Sequence, residues 1–161
     1  MQVPASIFKA YDIRGIVGET LTADIVYDIG RAVASLALQK GERTVYVGYD
    51  GRLSSPLLAE ALQQGLLASG VDVIALGMVT TPMLYFAAHQ HPQCHSGVMI
   101  TGSHNPPPYN GLKMVVAGET LSSSAIQQLY TSITQQAYTT TGLRGQLRTL
   151  DIYPDYQAAI V

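Results

Sequence analysis

Apolar positions along this chain switch repeatedly between a helical and an extended spacing. Over residues 22–39, Ile25, Ile29, Val33 and Leu36 recur every three or four positions. That spacing predicts a helix, with Thr22 as its cap and Gly41 just past its end. Residues 44–49 form a short β-rich run, the first strand. Ser55-Pro56 reads as a cap followed by proline at the first helical position, opening a helix along Leu58, Leu62 and Leu66 that stops at Gly70. Residues 71–76 make a second strand, and Thr81-Pro82 repeats the cap–proline start of a helix through Met83, Phe86 and Ala87. Residues 96–100 are apolar and bounded by turn residues, a third strand. Asn110-Gly111 opens a fourth run, 112–116, close enough to the third to return antiparallel. A last helix, from about 122 to 137, carries Ile126, Leu129 and Ile133 on one face.

Strand alternating with helix implies right-handed crossovers and a sheet covered on both faces. The expectation is a three-layer α/β/α domain over residues 1–150, built on a mixed, mainly parallel four-stranded sheet with the last strand antiparallel. Residues 151–161 read as the start of a helix in which the chain stops, leading to an absent second domain.

Composition narrows the class. The 161 residues suit one domain, and 47% hydrophobic content is ample for a core. Only 12% are charged, about half the usual ~25%, so the surface is expected to be polar but neutral, or covered by something else. A formal charge of -2 offers no field for nucleic acid. The single cysteine, Cys94, excludes an internal disulfide framework and suits a reducing compartment. Residues 1–10 lack the basic and apolar regions of a secretion signal, and no apolar stretch approaches the ~18 residues of a membrane span. A cytoplasmic protein without membrane or nucleic-acid partners is expected.

The chemistry concentrates at Thr101-Gly102-Ser103-His104-Asn105-Pro106, just past the third strand and followed by Pro107 and Pro108. Three prolines cannot continue a central strand, so Ser103 falls on a stiffened turn at a strand's carboxyl end. That is where open α/β sheets bind ligands. A polar loop capping its own turn is the alternative. Tyr11 and Arg14 stand three apart beside Gly15, and the Arg14 fork suits phosphate oxygens, although a salt bridge to Asp12 or a neighbour is the simpler account of it. Lys113 returns on the fourth strand toward the serine, or is a solvated edge lysine. His104 adjoins Ser103, but neighbours on an extended segment point opposite ways, so it need not be a base for it. The serine lacks the Gly-x-Ser-x-Gly setting of hydrolases, with no later histidine, and no Walker loop is present. His89, His91, Cys94 and His95 crowd one short tract, but their spacing matches no zinc pattern.

The segments Lys-Ala-Tyr-Asp-Ile-Arg-Gly at 9–15, Asp-Gly-Arg at 50–52, Thr-Gly-Ser-His-Asn-Pro at 101–106 and Asn-Gly-Leu-Lys at 110–113 resemble, in order, those of the α-D-phosphohexomutases. The first segment is similar to that of the bacterial phosphomannomutase/phosphoglucomutase branch. The resemblance implies an isomerase that works by phosphotransfer. Ser103 would carry a phosphoryl group, give it to a hexose phosphate of mannose or glucose, and recover the other phosphoryl from the 1,6-bisphosphate. Magnesium would bridge the phosphoserine oxygens. Tyr11, Arg14, His104 and Lys113 match positions around that group: Arg14 and Lys113 for charge stabilisation and proton traffic, His104 for proton transfer or support behind it. Only the first of the family's four domains is matched. Its metal loop, Asp-Gly-Asp-x-Asp-Arg, is absent here. The expected partners are hexose phosphates and the remaining domains, and the expected activity of the chain alone is slight. A non-catalytic binding domain keeping the fold is the rival reading.

Overall fold

The cleanest apolar spacing gives the longest helix. In the computed structural model, which describes residues 3–160, α1 spans Ala23–Gln39, and the Thr22 hydroxyl accepts from the Ile25 amide at 3.3 Å. α2 spans Ser55–Ala68 and lies directly on α1. The helices meet at Gly30 and Gly65: a Cβ on Gly30 would stand 2.5 Å from the Leu62 carbonyl oxygen, and one on Gly65 would strike that of Tyr27.

The cap–proline readings are each displaced by one residue. α2 is capped at Ser54 and α3, Thr81–Gln90, at Thr80, whose hydroxyl accepts from the Met83 amide at 3.3 Å. Proline falls at the second helical position in both, where its missing N–H is equally harmless because the first turn has no intrahelical acceptors. The shift frees the Ser55 hydroxyl from a capping role.

β2, Thr44–Tyr49, sits mid-sheet and pairs in parallel with β3, Asp72–Met78, and with β4, Gly97–Ile100. β4 pairs antiparallel with β5, Tyr109–Val116, the predicted return strand. The sheet has seven strands rather than the four expected, with β1, Ile13–Ile16, and β6, Glu119–Thr120, both antiparallel to β5, and β7, Leu147–Thr149, parallel to β3. The α/β/α class stands. The added strands escape a search for apolar runs because β1 is four residues around a charged side chain, while β6 and β7 are short and exposed throughout. They are held by ladder hydrogen bonds, which sequence periodicity does not report.

Alternate side chains supply the two faces. Val45, Val47, Val73, Val98, Ile100, Leu112 and Met114 join the core with α1, α2 and α4, Ser123–Gln135. Tyr46, Ile74, Leu76 and Met99 turn to the opposite side, against α3. Fully burying one such aliphatic side chain contributes roughly 1.5–3 kcal/mol. The predicted terminal helix is α5, Tyr153–Ile160, which packs on α3 through a Phe86–Tyr156 edge contact at 5.6 Å, with Ile152 buried beneath it. A register shift in the β2–β3 ladder at Val47/Gly48 falls just before the carboxyl end of β2, where the chain leaves for Asp50.

Candidate functional site

β4 ends at Ile100, and one further rung, Thr101 N–H to the Gly111 carbonyl at 2.9 Å, carries the chain to the sheet edge. There it turns. The Gly102 carbonyl accepts from the Asn105 amide at 2.9 Å and from the Asn105 side chain at 3.1 Å, closing a four-residue turn. Ser103 is the turn's first central residue, with φ 52°, in the left-handed region. A non-glycine residue there costs of order 1–3 kcal/mol and persists only where its surroundings over-determine it. Its amide donates to the Thr101 hydroxyl at 3.0 Å, and its side chain is exposed.

The surroundings that hold this turn are two side chains from the end of β2, Asp50 and Arg52. Asp50 Oδ2 accepts the Gly102 amide at 3.0 Å; Oδ1 accepts the Arg52 amide at 3.0 Å and the Ser55 hydroxyl at 2.5 Å. Burial alone would raise this carboxyl, but the hydrogen bonds from Ser55, Arg52, Gly102 and Thr101 outweigh it and hold the pKa below its ordinary value. Asn110 completes the support, its amide nitrogen lying 2.9 Å from both the Ser54 and Ser55 hydroxyls. Arg52 gives its guanidinium to carbonyls of the loop. A Cβ on Gly102 would fall on that guanidinium, so any larger residue would displace it.

The strand register places the remaining candidates. Arg14 lies on β1 opposite Gly111, which is in turn bonded to Thr101. Lys113, half-buried, lies two residues further along β5, opposite Met99. Cross-strand partners and residues two apart share a sheet face, so Arg14, Lys113, Thr101 and Met99 lie on the side against which α3 packs. Arg14 also makes the local ion pair that the sequence allowed, Nε to Asp12 Oδ1 at 3.2 Å, and keeps 42% of its side chain exposed. Tyr11, 74% exposed, precedes β1 at the end away from the serine turn, since β1 runs from Ile13 toward Ile16 opposite Tyr109. His104 is exposed and makes no hydrogen bond among the described residues. The register therefore gathers Arg14 and Lys113 in the two rows behind the serine turn, and leaves Tyr11 outside them.

A family model for the phosphoglucomutase/phosphomannomutase α/β/α domain I matches residues 5–149. The chain belongs to the phosphoglucomutase/phosphomannomutase family. Among relatives of this family, a phosphoglucomutase of Neisseria gonorrhoeae is 52% identical over 99% of this chain and 34% of its own length. A phosphomannomutase/phosphoglucomutase of Pseudomonas aeruginosa is 54% identical over 96% of this chain and 33% of its own. The crystal structure of a phosphoglucomutase/phosphomannomutase family protein from Burkholderia thailandensis superposes with a TM-score of 0.93 at 44% identity, covering 96% of this chain and 35% of that one. The chain thus spans about a third of the length of the relatives it matches.

Magnesium, implied by the resemblance to this family, would find one ligand here, an oxygen of a phosphate on Ser103. Among the described residues no three His, Cys, Asp or Glu side chains gather in any one place, and the Asp50 carboxylate is engaged by four donors. The donor set does not make a cation site by itself. The histidine tract is partly drawn into packing: His91 bonds the Tyr46 hydroxyl at 2.6 Å, and Cys94 is buried. No helix among the described residues is long and apolar enough to cross a membrane.

Sequence pattern points to no role in the site for Asp50, Arg52 or Gly102, and reads Ser55 only as a helix cap. The signal was present in Asp-Gly-Arg following a strand. Its function is to bind a loop about fifty residues later, which only the β2–β4 pairing brings within reach.

Proposed function

We propose that this chain is the serine-bearing domain of a hexose-phosphate mutase, and that Ser103 is the phosphoryl carrier. The single observation that supports this most is the construction of the turn. Its backbone is bonded from outside by Asp50 and Arg52, while the Ser103 hydroxyl stays exposed at the carboxyl end of a central strand. Such a hydroxyl is positioned for in-line transfer without rearrangement, and phosphoryl transfer depends chiefly on positioning and charge.

In the proposed cycle, phosphorylated Ser103 gives its phosphoryl group to a free hydroxyl of a bound mannose or glucose phosphate. The P–O bond to the serine breaks as one to the sugar forms, and the proton of the sugar hydroxyl passes to the departing Ser103 oxygen. The resulting 1,6-bisphosphate turns over in the site, and its other phosphoryl group returns to Ser103, whose proton passes to the departing sugar oxygen. Arg14 and Lys113 stabilise the charge that spreads over the moving group, and His104 moves or supports a proton. Tyr11 contacts substrate only if other parts of the protein bring it there. Magnesium would be completed by ligands from outside these residues. We assign residues 1–150 to this domain and 151–161 to the helix leading onward, in a cytoplasmic enzyme.

Mass-spectrometric phosphosite mapping, before and after incubation with glucose 1,6-bisphosphate and magnesium, tests the reading. Phosphate at Ser103 supports it; label elsewhere, or none even in the longer protein, overturns it. Sustained mutase turnover by the 161-residue chain would overturn the need for further domains.

A further inference from the structure

Among the described residues, Arg52 is the one cation of the site that bonds the serine turn itself. Nη1 donates to the carbonyls of Pro106 and Tyr109, each at 3.0 Å; Nη2 donates to those of Asn105 at 2.6 Å and Ser103 at 3.3 Å. All four acceptors lie within residues 103–109, on both sides of the proline run. Asp50 comes only to 3.7 Å from Nε, so carbonyl oxygens rather than a carboxylate are the main partners of this charge. With 21% of its side chain exposed, Arg52 is set into the loop rather than lying over it. A planar fork can span four carbonyls; an ammonium, a point charge on a flexible stem, cannot.

Two further features agree with this arrangement. Gly102 leaves room for the guanidinium, which a Cβ at that position would overlap. Ser103 holds a left-handed φ that nothing in its own chemistry favours. We infer that Arg52 is the positioning residue of the nucleophile: by binding carbonyls at Ser103 and beyond the prolines, it fixes the serine in the conformation that presents its hydroxyl. The inference rests on Ser103 being the phosphoryl acceptor, and it adds a role that the Asp50 contact alone does not fill, since Asp50 holds only the amide side of the turn.

The test uses the full chain with Arg52→Lys, Arg52→Ala and Gly102→Ala, the last displacing the guanidinium without altering it. Amide exchange by NMR is followed at Ser103, Asn105 and Tyr109, with β2 and β4 amides as the control for folding. In parallel, the rate of Ser103 phosphorylation by glucose 1,6-bisphosphate is measured. The expectation is at least tenfold faster exchange at the three loop amides in every variant, unchanged β2 and β4 protection, and tenfold or more slower labelling. Millimolar guanidinium should restore part of the rate in Arg52→Ala and none in Arg52→Lys. Unchanged loop exchange overturns the inference, and so does loosened exchange with an undiminished labelling rate. Slower labelling with an undisturbed loop also overturns it, because Arg52 would then act on the phosphate directly. If the wild-type chain and the longer protein both fail to label, the phosphoryl reading falls, while loop exchange still decides whether Arg52 fixes the turn.

Discussion

β4 is entered and left through two loops that look equally chemical in sequence and are built in opposite ways. Before the strand, side chains of the loop supply most of the glue, with the His95 backbone amide held from outside by Glu42. His91 bonds Tyr46 and lies 3.5 Å from Asp155 of α5; the Ser96 hydroxyl and the His95 amide bond Glu42; the Cys94 thiol turns to the Ser96 carbonyl. After the strand, the glue comes from elsewhere, Asp50 and Arg52 bonding the backbone, and the side chains of the loop's own Ser103 and His104 make no hydrogen bond among the described residues. A loop whose reactive groups are consumed by packing is structural. One whose backbone is held so that its side chains remain free is prepared for chemistry.

The sharpest way to break this contrast is to delete one reactive group from each loop. Ser103→Ala should abolish phosphorylation of the chain by hexose bisphosphate, a loss of at least ~10³-fold, with melting temperature changed little because the side chain is exposed. His91→Ala should do the reverse. It leaves the Tyr46 hydroxyl, on a fully buried residue, without its partner, and should cost about 1–3 kcal/mol in denaturant unfolding while labelling persists. If His91→Ala stops labelling, the division between the loops is wrong.

Asp50→Asn should disturb the second loop from its support. The neutral amide loses the charge-assisted bonds from Gly102, Arg52 and Ser55, a cost of about 1–3 kcal/mol, with Gly102 and Ser103 amide shifts moving most. The same carboxylate sets a pH limit. Its folded pKa is lowered, so its contribution is complete above the ordinary carboxylate value of about 3.9 and is lost as pH falls through the lower folded value. Following the Gly102 amide in an acid titration should show a midpoint below about 3.9; a midpoint above it would contradict the bonds described.

The last effect belongs to the first loop. Burial pushes the Cys94 thiol up to about 11. Alkylation by iodoacetamide at pH 8 should therefore be at least ~10²-fold slower in the folded chain than in urea. A rate near that of the unfolded chain would show this loop to be open.

Much of this was legible in the chain. The helices of residues 23–39, 55–68 and 81–90 follow from apolar spacing and polar starts, and the serine turn follows from a buried strand running into prolines. Those are local properties, fixed by propensity and by which residues must leave water. The family, too, is carried by short ordered motifs. The edge strands β1, β6 and β7 were not legible, because their order comes from hydrogen bonds to neighbours distant in sequence. Nor was the fate of each polar group. Arg14, Arg52, His91 and His104 are all polar side chains in motif-rich segments, yet one is in a local ion pair, one is set into a loop, one is locked on a buried tyrosine and one is free. The sequence by itself determined where the chain is helical, where it is buried and that a serine stands at a strand end. Only the tertiary structure decided which donor meets which acceptor. A hydrogen bond is a matter of about 3 Å and an angle, and that precision arises only when β2, β4 and β5 stand side by side.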